Sequence, residues 1–159
     1  MQFMDARVLI HKSTFDYNHA TLKTKNIFVG FSDIYIIGSQ FRNKLTQESQ
    51  ASAIYGTFIF VILDVNIYIQ STSFMGGLAY QGGAIYVTGT SKVMMNKTEF
   101  YNNKALLQGG AVFGSGFSDM SIVGSNIFRN NIALDTGDDF YVVNTEKRFL
   151  IKDANFWSP

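Results

Sequence analysis

Residues 82–113, GGAIYVTGTSKVMMNKTEFYNNKALLQGGAVF, decide the fold, because the stretch opens and closes on nearly the same five residues. Gly82-Gly83-Ala84-Ile85-Tyr86 returns as Gly109-Gly110-Ala111-Val112-Phe113 after 27 positions. Between them, Phe100-Tyr101-Asn102-Asn103 returns as Phe128-Arg129-Asn130-Asn131 after 28. A period of this size in a chain of strand formers is the mark of a solenoid, in which each repeat buries its apolar face against the next.

Working outward from this stretch, the pattern apolar-x-apolar, then a small or polar residue, then Phe, occurs six times. The copies are Val8, Ile10, Ser13, Phe15; Ile34, Ile36, Ser39, Phe41; Ile67, Ile69, Thr72, Phe74; Val93, Met95, Thr98, Phe100; Met120, Ile122, Ser125, Phe128; and Phe149, Ile151, Ala154, Phe156. Successive Phe residues are 26, 33, 26, 28 and 28 apart. A second strand signal precedes each block after the first, at Ile27-Phe28, Ile54-Tyr55, Ile85-Tyr86, Val112-Phe113 and Phe140-Tyr141. On that assignment the extra length of the long step falls between Tyr55 and Ile67, and a projecting loop or longer strand is expected there.

Apolar spacing of two and repeated Gly and Asn interruptions argue against helices. No Asn-Gly or Asp-Gly hairpin turns recur, which argues against a propeller or sandwich. The pattern predicts a single all-β domain, a right-handed parallel β-helix of about six coils. At one inter-strand spacing per coil the rod is on the order of 29 Å long. Phe15, Phe41, Phe74, Phe100, Phe128 and Phe156 are expected to form an internal ladder, with roughly 0.5–1.5 kcal/mol of stacking per pair beyond burial. Asn18, Asn103 and Asn131 are placed at turns, where Asn tolerates left-handed geometry and its amide reaches the next coil. Gly82, Gly83, Gly109 and Gly110 are placed at corners that a Cβ would crowd.

Composition agrees with a folded, strand-rich chain: 47% hydrophobic, 15% aromatic and 16% charged, with 15 Phe, 8 Tyr, 14 Gly and one Pro. A net charge of +1 gives no basic stripe, so no nucleic-acid partner is expected. The absence of Cys excludes disulfides and thiolate metal sites and leaves the compartment open. Asp5 and Arg7 interrupt the run an export signal would need. Residues 53–69 are apolar, but they contain Asp64 and Asn66 and suit strands better than a membrane span.

The motifs GGA[ILV] and FxxN resemble the repeats of polymorphic outer-membrane proteins of chlamydiae, and more broadly surface proteins of the pectin-lyase-like β-helix fold. Gly82 to Ile85 and Gly109 to Val112 fit the first motif; Phe15 to Asn18, Phe100 to Asn103 and Phe128 to Asn131 fit the second. Phe41 and Phe74 lack the Asn, and Gly137-Asp138-Asp139-Phe140 departs from the first motif at two positions. The resemblance implies an extracellular or cell-surface, non-enzymatic module with a structural or adhesive role.

The only acidic cluster is Asp135, Asp138 and Asp139, followed by Arg148. It suggests the carboxylate pair of a polysaccharide hydrolase. Against this, Asp138 and Asp139 fall in turn slots, and His11 and His19 lie at the far end of the chain. No catalytic residue, metal or cofactor is therefore assigned. Thr88-Gly89-Thr90 occurs once, too little for an ice-binding array, and the GGxGxD calcium repeat is missing. Asn96-Lys97-Thr98 is the single N-x-[ST] sequon, a candidate glycan acceptor in a secreted eukaryotic protein. Strand-like apolar residues at both ends predict pairing with further coils or with a second copy stacked end to end into a filament. Surface glycans or a host-cell surface protein are further candidate partners, and a polysaccharide-binding or polysaccharide-cleaving β-helix is the alternative reading.

Overall fold

Alternating apolar residues make short strands, and single left-handed residues turn the chain between them. The computed structural model describes residues 1–16, 27–43, 58–116, 119–143 and 148–157. Among these, the strands form three six-stranded sheets and a fourth sheet of three strands. Every strand pair is parallel. The chain is a parallel β-helix. Its six rungs are joined by five complete turns, since a six-stranded sheet contains five steps from first strand to last.

The first sheet holds Gln2–Met4, Ile27–Gly30, Ile59–Ile62, Ile85–Thr88, Val112–Ser115 and Phe140–Val143. The second holds Arg7–His11, Asp33–Ile37, Asn66–Gln70, Lys92–Asn96, Asp119–Val123 and Arg148–Ile151. The third holds Thr14–Asp16, Gln40–Arg42, Ser73–Met75, Glu99–Tyr101, Asn126–Arg129 and Ala154–Trp157. The fourth is Leu78–Ala79, Lys104–Ala105 and Ile132–Ala133. Ile59–Ile62 and Asn66–Gln70 are the strands formed in the described part of the apolar segment 53–69, and no helix of the described residues is long and apolar enough to cross a membrane.

The rows of the second sheet follow the sequence pattern. Val8, Ile34, Ile67, Val93, Met120 and Phe149 stand in register, as do Ile10, Ile36, Ile69, Met95, Ile122 and Ile151. Both rows face the interior, where Ile34, Ile36, Met95, Met120 and Ile122 are fully buried.

Two expectations need correction. The strand in the slot of Ile27-Phe28 is led by Ile59-Phe60, which pairs with Ile27-Phe28 on one side and Ile85-Tyr86 on the other. Ile54-Tyr55 lies outside the described residues. Both dipeptides are an Ile followed by an aromatic, so spacing to one neighbour could not separate them. Because Ile59 precedes Ile67 by the same eight positions that separate Ile85 from Val93, the extra length of that coil falls between Asn43 and Phe58. In the fifth copy, Asn126 rather than Ser125 fills the polar slot: it pairs with Ala154 and accepts the Thr98 N–H through Oδ1 at 2.9 Å. The inserted residue is Ser125, which is exposed beside Gly124 at φ 70°.

Each corner turns on one residue at positive φ. Among the described residues, between the second and third sheets it is Lys12, Gly38, Ser71, Lys97, Gly124 and Asp153; between the first and second it is Asp5, Phe31, Leu63, Gly89 and Gly116. A non-glycine residue in this conformation costs about 1–2 kcal/mol, less for Asn. Between the second and third sheets, hydrogen bonds to the next coil hold it there, as the N–H groups of Lys12, Gly38 and Ser71 bond the Ile37, Gln70 and Asn96 carbonyls.

Candidate functional surfaces

The interior is filled by side chains stacked in columns. Phe15, Phe41, Phe74, Phe100, Phe128 and Phe156 stand in register and stack successively with centroids 4.6, 4.9, 5.0, 4.7 and 5.1 Å apart. The four middle rings are 0% exposed, whereas Phe156 at the C-terminal coil is 46% exposed. Phe58, a residue the repeat pattern did not single out, adds a fully enclosed ring against Phe41 and Phe74 at 5.9 and 6.1 Å.

A corner interrupts the backbone ladder and leaves an N–H facing the next coil, and buried polar side chains accept it. Ser39 Oγ takes the Ser13 N–H, Thr72 Oγ1 takes the Ser39 N–H, and Asn126 Oδ1 takes the Thr98 N–H. The same device appears at the corner after Phe100. Asn103 Oδ1 accepts the Gly77 N–H at 2.9 Å, and its amide donates to the Phe74 carbonyl and to Asn131 Oδ1. Asn131 Oδ1 also accepts the Asn103 N–H, and the Asn131 amide donates to the Phe100 carbonyl. Each of these groups would otherwise be buried unpaired.

The two adjacent asparagines divide the labour. Left-handed geometry belongs to Asn102 and Asn130, at φ 52° and 54°, while the inter-coil hydrogen bonds belong to Asn103 and Asn131. The expectation from sequence, which gives both roles to the second residue, is corrected on the first of them. Asn18 lies outside the described residues.

The glycine pairs also split. Gly82, Gly109 and Gly137 take φ 61°, 67° and 74°. Gly83 and Gly110 have ordinary φ, but a Cβ on Gly83 would sit well inside van der Waals contact of the Gly110 carbonyl oxygen. One on Gly110 would do the same to the Asp138 carbonyl oxygen.

Residues 97–115 match the family described as Chlamydia polymorphic membrane protein (Chlamydia_PMP) repeat. The chain is a parallel β-helix repeat protein whose repeat is similar to that one. The matched span runs from the Lys97 corner through Phe100, the Asn102-Asn103 turn and the Gly109-Gly110 corner to the strand Val112–Ser115. It therefore contains one ladder Phe, one Asn pair and one glycine pair. No curated protein and no solved structure gives a significant match to the chain.

The carboxylates of the repeat's acidic cluster point to three different partners. Asp135 Oδ2 accepts the Gln108 amide at 3.4 Å, Asp138 Oδ1 accepts the Ala133 N–H at 3.0 Å, and Asp139 Oδ1 accepts the Asn131 amide at 2.8 Å. Arg148, suggested by sequence as their partner, instead pairs with Asp119 at 3.2 Å. Burial pushes the Asp139 carboxyl above the ordinary carboxylate range; the Asn131 amide opposes the shift and the Asp138 charge adds to it.

Outside the rod, the first sheet carries a second aromatic column that the sequence reading did not name as one. Phe28, Phe60, Tyr86, Phe113 and Tyr141 follow one another at 5.3, 5.1, 4.9 and 5.8 Å. Its signal was the second member of each apolar-aromatic pair. Phe60 and Phe113 are only 5% exposed, while Phe28, Tyr86 and Tyr141 are half-buried. On the second sheet Leu9, Tyr35, Tyr68, Met94, Ser121 and Leu150 form the outward row. Tyr35 and Tyr68 stack at 4.9 Å and 6°.

A polar cleft of about 260 Å³ crosses three coils at the corner between the second and third sheets, lined by Gln40, Ser71, Ser73, Lys97 and Glu99 among others. Asn96, the sequon residue, stands beside it, half-buried and in register with Gln70 and Val123. A Cβ on Gly124 of the next coil would collide with its Oδ1, so a glycine makes room for the amide.

Proposed function

We propose that the chain is a non-enzymatic β-helix module of a cell surface or extracellular protein, with a structural or adhesive role, and that it joins further coils or a second copy end to end. The observation that carries this reading is the C-terminal coil. Its three strands keep the register of the interior, yet Ile151 and Phe156, which continue rows that are fully buried in the middle coils, are 39% and 46% exposed. Such an edge pairs readily with another strand. At the other end, Gln2–Met4, Arg7–His11 and Thr14–Asp16 offer strands of the same three sheets, with Phe15 in the slot of Phe156. The similarity of the repeat to those of polymorphic membrane proteins supports the surface location. The interior supports the non-enzymatic role, since its polar side chains are engaged in holding coils together.

Sedimentation velocity over a dilution series, with negative-stain imaging, tests the reading. The expected result is a concentration-dependent rise in mass and rods longer than a single copy. One species of monomer mass at every concentration overturns it.

The polar cleft favours a second reading, a site for a short oligosaccharide, because hydroxyls, an amide, an ammonium and a carboxylate line it together. Glycan-array binding lost in Lys97→Ala and Glu99→Gln variants would support that reading. An array without signal removes it.

A further inference from the structure

Gly82-Gly83-Ala84 and Gly109-Gly110-Ala111 read the same at the corner that leads from the fourth sheet into the first, and Gly137-Asp138-Asp139 stands at that corner one coil on. Asp138 occupies the slot of Gly83 and Gly110, and Asp139 the slot of Ala84 and Ala111, as fixed by the Val112 to Phe140 pairing and by the Gly110 and Ala111 N–H bonds to the Gly137 and Asp139 carbonyls. At Gly83 and Gly110 a Cβ would strike the carbonyl of the following coil. Asp138 carries that Cβ.

Its carboxylate also closes the edge beside it. Ile132–Ala133 is the last strand of the fourth sheet, and the Ala133 N–H is taken by Asp138 Oδ1. The Asn column ends in the same way. Asn103 hands its amide to Asn131, and Asn131 hands its own to Asp139 instead of to a further coil. The other three sheets each hold one strand more, Phe140–Val143, Arg148–Ile151 and Ala154–Trp157.

We propose that Asp138 and Asp139 form a stop that bars a further coil from the fourth-sheet corner and so weakens and restricts addition of a second copy of this chain at the C-terminal end. The stop works first through shape, because the Asp138 Cβ stands where the next coil's carbonyl would lie. It works second through two hydrogen bonds, because the Ala133 N–H and the Asn131 amide are already bonded within the chain. An incoming copy is left with the three open strands alone. This inference rests on end-to-end association as proposed above.

The test restores the repeat's own corner. Asp138→Gly with Asp139→Ala rebuilds the Gly-Gly-Ala sequence that the chain already folds at residues 82–84 and 109–111, and circular dichroism checks that the variant is folded. Sedimentation velocity at neutral pH is expected to show half-association at a concentration about tenfold lower than for wild type. Asp138→Asn with Asp139→Asn removes both charges but keeps the Cβ and the acceptors, and is expected to stay within about twofold of wild type. If wild type associates and the Gly/Ala variant does so no more tightly, the stop is overturned while end-to-end association stands. If the Asn/Asn variant matches the Gly/Ala variant, charge alone is responsible and the steric stop is overturned. If no protein associates at any concentration, the stop and the association both fall.

Discussion

At the residue scale, Asn102 and Asn103 are adjacent and chemically identical, yet the fold asks different things of them. Asn102→Gly removes the cost of a left-handed β-carbon at φ 52° and should leave stability unchanged or raise it by up to about 1 kcal/mol. Asn103→Ala leaves the Gly77 N–H and the Phe74 carbonyl without their partner in the interior, and should cost about 2–4 kcal/mol. Urea denaturation of the two variants checks this, and equal effects would refute the division of roles. The motif was legible in sequence, but its inner division was not: a one-residue difference in backbone conformation leaves no trace in residue type when both residues are Asn. Asp139 gives a pH-dependent prediction. Burial raises its folded pKa, with the Asn131 hydrogen bond opposing and the Asp138 charge adding. The folded state thus holds its proton more tightly than the unfolded chain. Stability from this group is full below the ordinary carboxylate range and is lost as pH rises through the raised folded value. Asp139→Asn should accordingly melt higher than wild type at pH 7, with the advantage shrinking toward pH 4; an advantage that grows on acidification would contradict the sign.

At the scale of elements, coils are held by columns rather than by any single strand, so the cost of a substitution depends on its height in the column. Phe100 is fully enclosed between Phe74 and Phe128, and Phe100→Ala should cost about 3–5 kcal/mol through lost burial and the cavity left behind. Phe156→Ala removes the same ring from a slot where it is 46% exposed, and should cost about 1 kcal/mol. Calorimetric melting of both proteins separates these values, and a similar loss in each would argue against the ladder as the organising element. The ladder could be read from the sequence because Phe recurs in a polar setting. The outer column was harder to see, since Phe28, Phe60, Tyr86, Phe113 and Tyr141 alternate between two residue types and one coil offers two Ile-aromatic pairs. Pairing partners, not spacing, chose Ile59-Phe60 over Ile54-Tyr55.

At the scale of the whole molecule, a rod of stacked coils has stability that is close to a sum of each coil and its two interfaces, so opening should start at a coil that lacks one interface. The middle coils have both. The strands Ser73–Met75 and Glu99–Tyr101 carry Phe74 and Phe100 at 0% exposure, while Arg148–Ile151 and Ala154–Trp157 carry the inward-row residues Ile151 and Phe156 at 39% and 46%. Sequence alone counted these coils as equals, because the apolar-x-apolar pattern is as clear at Phe149 and Ile151 as at Val93 and Met95. The difference comes from position in the stack, which residue type does not encode. Amide hydrogen exchange measured at low protein concentration should follow that position: slowest in the two middle strands and faster by at least about tenfold in the two C-terminal ones, equivalent to about 1.4 kcal/mol of opening free energy. Raising the protein concentration should slow the C-terminal strands selectively, because a second copy stacked on them supplies the missing interface, while the middle strands keep their rate. Uniform exchange along the rod would mean that all coils open as one unit. A C-terminal rate that ignores concentration would mean that this edge remains open to water and takes no partner.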